Sequence, residues 1–222
     1  MLKAYNVPFN SEIKLVNPIR IKNHSTTFEK SINLGFYIID MGYLIMYDRN
    51  AEGAKYIKAI EMLMDEIGIS NSIRDHLAIR FKNNINHKDS LSHIILESYQ
   101  QSHSYFQQNG REGIGILLLT GCYIEGLYIA TKCNIRDQRL LSKMLGQNKI
   151  FLNNIIELLK YYITNKEVGG LINDLKDLRD VFEKIEVGSG EEPNPDIDDL
   201  IDHETIKLIS DSANALRNKY VN

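Results

Sequence analysis

The sequence predicts an all-α protein, an antiparallel bundle of about 7–8 helices around a central apolar helix at about residues 111–132. Two observations predict this class. The chain of 222 residues contains only 4 Pro and none between residues 19 and 192, so long helices are not interrupted. Apolar side chains recur at three- and four-residue spacing, and no segment alternates apolar and polar residues as a half-buried strand does.

Start and stop signals divide the chain into eight predicted helices. Thr26 precedes the first with Glu29 in its first turn, Gly68 ends the second, and Asn109-Gly110 ends the fourth. The predicted helices are approximately Thr26–Asp48, Ala51–Ile67, Asn71–Asn83, Asp89–Gln108, Arg111–Lys132, Asp137–Thr164, Val168–Ile185 and His203–Tyr220.

The predicted domain organisation is simple. Residues 1–24 form an irregular N-terminal arm, and residues 25–222 form a single helical domain with an acidic loop at 186–204. That loop contains eight Asp or Glu and no Lys or Arg, which is typical of a solvated connection. Its acidic run lacks the glycine and the terminal Glu of an EF-hand, so no calcium site is predicted.

Charge and cysteine content exclude several classes. The net charge of −3 and the scattered basic residues argue against a general nucleic-acid binder. Cys122 lies in the predicted central helix and Cys133 directly after it, so eleven helical residues separate them by about 16 Å, which is beyond disulfide reach. The cysteines also lack the Cys/His spacing of a zinc site, so neither a metal nor a cofactor is predicted.

The central helix is apolar on all sides, which is typical of a buried helix or a membrane span. Its apolar run is shorter than the roughly 20 uncharged residues of a span and contains Glu125, so we predict a core helix. Each glycine in it costs about 1 kcal/mol relative to Ala. We expect neighbouring helices to approach closely at these glycines, which are Gly113, Gly115, Gly121 and Gly126.

Glu125 is the most informative residue, because an ionised carboxylate in an apolar core is costly unless it is paired or hydrogen-bonded. A functional Glu125 would be a proton donor, an anchor for a ligand or a metal ligand. The alternative, which we favour, is a structural tie to a tyrosine hydroxyl, an arginine or a backbone donor on a neighbouring helix.

Asp40 is the counterpart of Glu125 in the first helix, and Tyr43, Tyr123 and Tyr128 accompany the two acids. Tyrosine can partner a buried carboxylate and line a ligand pocket, so these five residues are the candidate ligand-binding set. The alternative, again favoured, is that the tyrosines fill the edge of the core.

No catalytic residue is assigned, because the sequence contains no nucleophile elbow, P-loop, dinucleotide fingerprint or zinc-protease motif. Asp89 and His93 stand one turn apart on a predicted helix, but no second His-rich helix completes a metal site.

One predicted helix pair resembles a tetratricopeptide unit, on the residues Gly42-Tyr43, Asn50, Ala54, Tyr56 and Ala59. The pair from Tyr105 to Cys133 has a similar layout without matching in detail. A single unit is not an array, so a plain antiparallel bundle is favoured over a tetratricopeptide-like one.

Four segments together resemble a group of uncharacterised all-α proteins of Bacteroidetes-type bacteria. These segments are Ser31–Tyr43, Tyr56–Ala59, Asn86–Leu91 and Tyr123–Tyr128. The group typically shows an N-L-G-x-Y-x-x-D-L-x-Y segment and a G-G-W-I-E-G-L-Y segment, and Asp40 and Glu125 fall on its acidic positions. Here Met41 replaces Leu, Tyr123 replaces Trp, and the residues from Thr120 to Cys122 depart from the glycine-rich lead-in.

The resemblance covers residues 5–130 best and implies an envelope location, either periplasmic or anchored at the outer membrane, with a lipid anchor in the full-length precursor. Residues 1–5 lack the apolar core of a signal peptide, which predicts a cytoplasmic protein if the chain is full length.

The leading hypothesis is a non-enzymatic binding or scaffold module that binds a protein or a small molecule. The alternatives are an enzyme that uses Asp40 or Glu125 and a tetratricopeptide-like adaptor.

Overall fold

The computed structural model describes residues 7–69, 79–80, 83–84, 97, 101, 104–133, 135, 137–161, 165–183 and 201–221. All regular elements among these residues are helical, so the predicted all-α class is confirmed. A 3-10 helix at Pro18–Asn23 is followed by α1 (Thr27–Met46), α2 (Asn50–Glu66), α3 (Glu112–Lys132), α4 (Gln138–Lys160), α5 (Lys166–Phe182) and α6 (His203–Tyr220).

Most of two predicted helices, at 71–83 and 89–108, lies outside the described residues, although residues 104–108 are helical. The predicted acidic loop is also outside them except for its last residues, where 203–204 already belong to α6.

The helix starts follow the sequence signals closely. Thr26 caps α1 in a capping box, in which its side chain accepts from the Glu29 N–H and the Glu29 carboxylate accepts from the Thr26 N–H. Asp137 caps α4 and Asn165 caps α5. In each cap, a side-chain oxygen accepts a hydrogen bond from a backbone N–H of the first turn. These caps satisfy donors that would otherwise lack partners at the helix ends.

The chain divides into two compact units. The α1–α2 unit consists of Lys14–Gly126 and Tyr220–Asn222, and the α4–α6 unit consists of Met1–Ile13 and Leu127–Lys219. The boundary falls inside α3, whose residues up to Gly126 belong to the first of these units. The single domain expected over residues 25–222 stays a prediction.

In the α1–α2 unit, α1 and α2 form a helical hairpin, and the 3-10 helix packs against α2. Asp48 makes the tight connection in a left-handed conformation, φ 63°, which Asp tolerates better than most residues. The side chains with essentially no exposed surface include Ile32, Leu34, Phe36, Tyr37, Leu63 and Ile67.

In the α4–α6 unit, α4 packs against α5 through side chains that have no exposed surface, among them Leu145, Leu152, Leu171, Leu175 and Phe182. An ion pair of 3.2 Å joins Lys149 of α4 to Glu183 at the end of α5. A second, of 2.7 Å, joins Lys219 of α6 to Asp174 of α5. Apolar packing dominates this unit, since exposed ion pairs contribute little.

The helix α3 is the one helix among the described residues that is long and apolar enough to cross a membrane by length and composition. The core helices of globular proteins meet the same criterion. In α3, 56% of the most apolar 18-residue segment is buried within the protein. The length and composition of α3 are therefore weak evidence that this helix crosses a membrane.

Candidate functional site

The helices α1 and α3 cross with their backbones in contact, and two glycines permit the crossing. A methyl group added at Gly35 would lie 2.4 Å from the Leu118 carbonyl oxygen and 2.6 Å from the Cys122 nitrogen. A methyl group added at Gly121 would lie 2.1 Å from the Ile32 carbonyl oxygen. No side chain fits at either position, so glycine is required by the close approach.

The expected close approach is thus confirmed at Gly121, whereas the prediction is wrong at Gly126, where an added methyl group meets none of the described residues within 4 Å. Gly115 faces the ring of Phe106, at 3.3 Å from an added methyl group. Sequence reasoning missed Gly35, although its place in a predicted apolar helix was the same kind of signal.

Asp40 is completely buried and binds the N-terminal arm. Its Oδ2 accepts a hydrogen bond of 2.7 Å from the backbone N–H of Val16. The Tyr56 hydroxyl of α2 donates to the carbonyl oxygen of the same residue, Val16, at 2.8 Å. The two side chains therefore satisfy both backbone groups of Val16, as a neighbouring strand would, and we call this pair of hydrogen bonds the Val16 clamp. The bond to the Val16 N–H gives the buried carboxyl group of Asp40 a structural role.

An aromatic cluster lies next to the Val16 clamp and shares Tyr56 with it. The ring of Tyr37 packs edge-on against Tyr56, with centroids 6.1 Å apart, and the Tyr37 hydroxyl lies 3.4 Å from Nε2 of His24. Burial of the His24 ring lowers the pKa of this histidine, and the nearby Glu29 and Glu66 carboxylates oppose the effect only in part. The cluster holds His24, directly after the 3-10 helix, against the α1–α2 hairpin.

Glu125 also has no exposed surface, and both acids make further polar interactions. The Oδ2 of Asp40 bonds Val16 in the arm. Glu125 lies one helical turn after Gly121, on nearly the same side of α3 as the crossing.

The three candidate tyrosines are core residues, at 5% exposure or less. Tyr43 packs edge-on against Tyr47, with centroids 5.1 Å apart. Burial raises the pKa of Tyr123 well above its usual range, so this hydroxyl stays protonated. Tyr128 belongs to the α4–α6 unit, where the Arg217 guanidinium lies 4.2 Å from its ring centroid in a cation–π contact.

Asn33 is a buried polar residue that sequence reasoning did not single out. Its Nδ2 donates to the carbonyl oxygens of Glu29, at 2.9 Å, and of Tyr220, at 3.0 Å. The ring of Tyr220 also packs on Phe28, with centroids 6.0 Å apart. Asn33 and Phe28 thus hold the end of the chain on α1. The sequence feature that could have identified Asn33 is its polar amide side chain between the apolar residues Ile32 and Leu34.

Among the described residues, no group of three or more His, Cys, Asp or Glu side chains could hold a metal ion. Asp89 and His93 lie outside those residues. Burial raises the pKa of the Cys122 thiol to about 12, so it is a poor nucleophile.

Comparison with protein-family models, with curated proteins and with solved structures found no match to this chain.

Proposed function

We propose that this chain is a non-enzymatic binding or scaffold module. The observation that supports it is the clamp on Val16: Asp40, one of the two acids that a catalytic hypothesis would use, has no exposed surface and holds the arm. A catalytic acid must come within hydrogen-bond reach of its substrate. Glu125 is buried to the same degree.

The proposed location is the bacterial envelope, and it rests on the resemblance to the Bacteroidetes-type group alone. The residues that carry this resemblance include Asn33, Gly35 and Asp40, all of which have packing roles in the α1–α2 unit. Residues that match because they pack the helices indicate a shared fold, and they do not indicate a shared reaction.

The module hypothesis is tested by genetic complementation with variants that keep the shape of the acids. A strain that lacks the gene would receive the wild type, Asp40→Asn or Glu125→Gln, and its fitness would be measured in competition with the parent strain. We expect any variant that folds to restore fitness. A variant that melts like the wild type but fails to restore fitness would show that the acid takes part in binding or catalysis and not only in the fold.

Location is tested separately by cell fractionation of a tagged full-length protein. The expected result is recovery with the envelope fraction, and recovery in the cytosol would refute the envelope proposal.

A tetratricopeptide-like adaptor is a second candidate. The observation that favours it is that consecutive helices pack in pairs, α1 with α2 and α4 with α5. Every antiparallel bundle also contains such pairs. Successive helix pairs that stack with a constant rotation in a crystal of the full-length protein would support the adaptor, and pairs without that rotation would refute it.

A further inference from the structure

A tight turn just before α3 contains Asn109 and Gly110, the one Asn-Gly pair in the sequence. The turn is a Schellman motif, a common way for a helix to end on glycine. The Arg111 N–H donates to the Phe106 carbonyl oxygen at 2.8 Å. The Gly110 N–H donates to the Gln107 carbonyl oxygen at 3.3 Å. Gly110 has φ 62°, a left-handed conformation that glycine adopts without strain.

An asparagine that precedes glycine carries both partners of a ring-closing reaction. The backbone nitrogen of Gly110 is the nucleophile, and Cγ of the Asn109 side chain is the electrophile. Their union closes a five-membered ring, and the attack has the advantage of proximity because both atoms belong to adjacent residues. Glycine obstructs the attacking nitrogen least, since it has no side chain.

The fold leaves this pair open to the reaction, because both residues are exposed. A methyl group added at Gly110 would meet none of the described residues within 4 Å, so the surroundings of this residue are not crowded. The 3.3 Å hydrogen bond of the Gly110 N–H is longer than the typical distance of about 2.9–3.0 Å, and it holds the nitrogen weakly. Helix ends also open locally at little cost in free energy, which frees the backbone for ring closure.

We propose that Asn109 is a site of spontaneous modification, which converts to aspartate and β-linked aspartate in the folded protein. The Gly110 nitrogen loses its proton to hydroxide and bonds to Cγ of Asn109, while the bond from Cγ to Nδ2 breaks and ammonia leaves with a proton from water. Water then opens the ring. Cleavage between the nitrogen and Cγ gives aspartate, and cleavage between the nitrogen and the Asn109 backbone carbonyl carbon gives β-linked aspartate. In sum, an amide and water become a carboxylate and an ammonium ion. The reaction needs neither a partner nor the binding role proposed above.

The turn positions two side chains on the end of α2. The Arg111 guanidinium donates to the carbonyl oxygens of Ile67, at 2.6 Å, and Gly68, at 3.3 Å. The Tyr105 hydroxyl also donates to the Gly68 carbonyl oxygen, at 3.0 Å. These bonds supply donors to carbonyl groups at a helix end, where the helix itself has none left to offer. Because β-linked aspartate adds a methylene group to the main chain of the turn, it shifts Arg111 relative to Tyr105.

Both products also change the polar contacts of the turn. The Asn109 side-chain amide donates to the Tyr105 carbonyl oxygen at 2.7 Å. A carboxylate only accepts hydrogen bonds, so this bond is lost and the oxygens repel each other. The new charge lies at the C-terminal end of a helix, where the helix dipole disfavours an anion. Modification therefore weakens the connection between the end of α2 and the start of α3.

The modification is tested by ageing the purified full-length chain at mildly alkaline pH without denaturant. Peptide mass spectrometry measures how much of the Asn109 amide becomes a carboxyl group, and electron-transfer fragmentation distinguishes aspartate from β-linked aspartate. Asn154 is the internal control, because it is exposed but lies within α4 and precedes the branched Ile155. Asn109→Gln is the matched variant, since its longer side chain would have to close a larger ring and reacts far more slowly.

We expect Asn109 to convert progressively while Asn154 stays intact. The conversion should be faster at higher pH, because the attacking nitrogen must lose its proton. In urea unfolding, complete conversion should raise the unfolding equilibrium constant of the wild type at least about fivefold, since at least one hydrogen bond of the turn is lost. The same ageing should leave the unfolding of Asn109→Gln unchanged.

Three results would overturn the proposal. An Asn109 that converts in urea but stays intact in the folded protein would show that the fold protects the pair. Equal conversion of Asn109 and Asn154 would show that the turn has no special reactivity. A fully converted wild type that is as stable as the fresh protein would refute the role of the turn in holding the end of α2.

Discussion

The crossing of α1 and α3 leads to a stability prediction that rests on one methyl group. In Gly121→Ala the new carbon would lie 2.1 Å from the Ile32 carbonyl oxygen and 2.9 Å from the Ile32 carbonyl carbon. The obstacle is backbone, so no rotamer change can relieve it. The two helices must separate by about 1 Å at the crossing to reach even the shortest tolerable contact, and the packing on both sides loosens with them.

The expected loss is the difference between two opposing effects. Overpacking a core typically costs about 1–3 kcal/mol and sometimes more. Alanine returns about 1 kcal/mol of helix propensity. Because the clash is between backbones, we expect the overpacking cost at the upper end or beyond and a net loss on the order of 3 kcal/mol in the free energy of unfolding.

The matched control is Gly126→Ala in the same helix, where the added methyl group has no neighbour within 4 Å in the described part of the chain. This variant should gain up to about 1 kcal/mol from propensity alone. Urea unfolding followed by far-UV circular dichroism compares both variants with the wild type. If Gly121→Ala is as stable as Gly126→Ala, the close crossing of α1 and α3 is wrong.

Three further predictions concern the same unit. Asp40→Ala should lower the free energy of unfolding by about 2–3 kcal/mol, because it leaves the Val16 N–H buried without its carboxylate, and Tyr56→Phe should cost about 1 kcal/mol; a double variant that shows no coupling in urea unfolding would contradict the clamp. Burial lowers the pKa of His24, so the unfolded chain binds the proton more tightly; this contribution to stability is complete above about pH 6.5 and is lost as the pH falls through the folded pKa. His24→Gln should therefore lose less stability than the wild type between pH 7 and pH 5, and equal losses in thermal melts would refute the assignment. The Cys122 thiol, whose pKa burial raises from 9.0 to about 12, should carry about a thousandfold less thiolate than an ordinary cysteine at neutral pH. Mass spectrometry after iodoacetamide treatment should find it alkylated much more slowly in the folded protein than in urea, and equal rates would contradict the raised pKa.

Much of the helical structure could be predicted because its causes are local. The capping box of Thr26 and Glu29 and the stop at Gly68 lie within a few residues of the ends they determine. The predicted ends of α1 and α2 differ from the observed ones by one or two residues, which is the usual uncertainty of frayed helix ends.

The candidate site could be predicted less well. The sequence identified Asp40 and Glu125 as buried acids, since both interrupt apolar runs. It did not show that Asp40 binds Val16, because the two residues are separated by 24 positions and the bond depends on the path of the arm. Tyr56 belongs to two sequence patterns, the tetratricopeptide-like unit and the Tyr56–Ala59 segment, but neither pattern predicts that its hydroxyl completes the clamp.

The sequence by itself determined that the described elements are helices and that two carboxylates are buried among them, because periodicity, capping and composition act over one or two turns. Only the tertiary structure decided which glycine in α3 touches a neighbour and which carboxylate holds the arm. Gly121 and Gly126 are alike in sequence, and they differ because another backbone passes one of them and not the other. That difference depends on where α1 lies in space, which spacing along one helix does not encode.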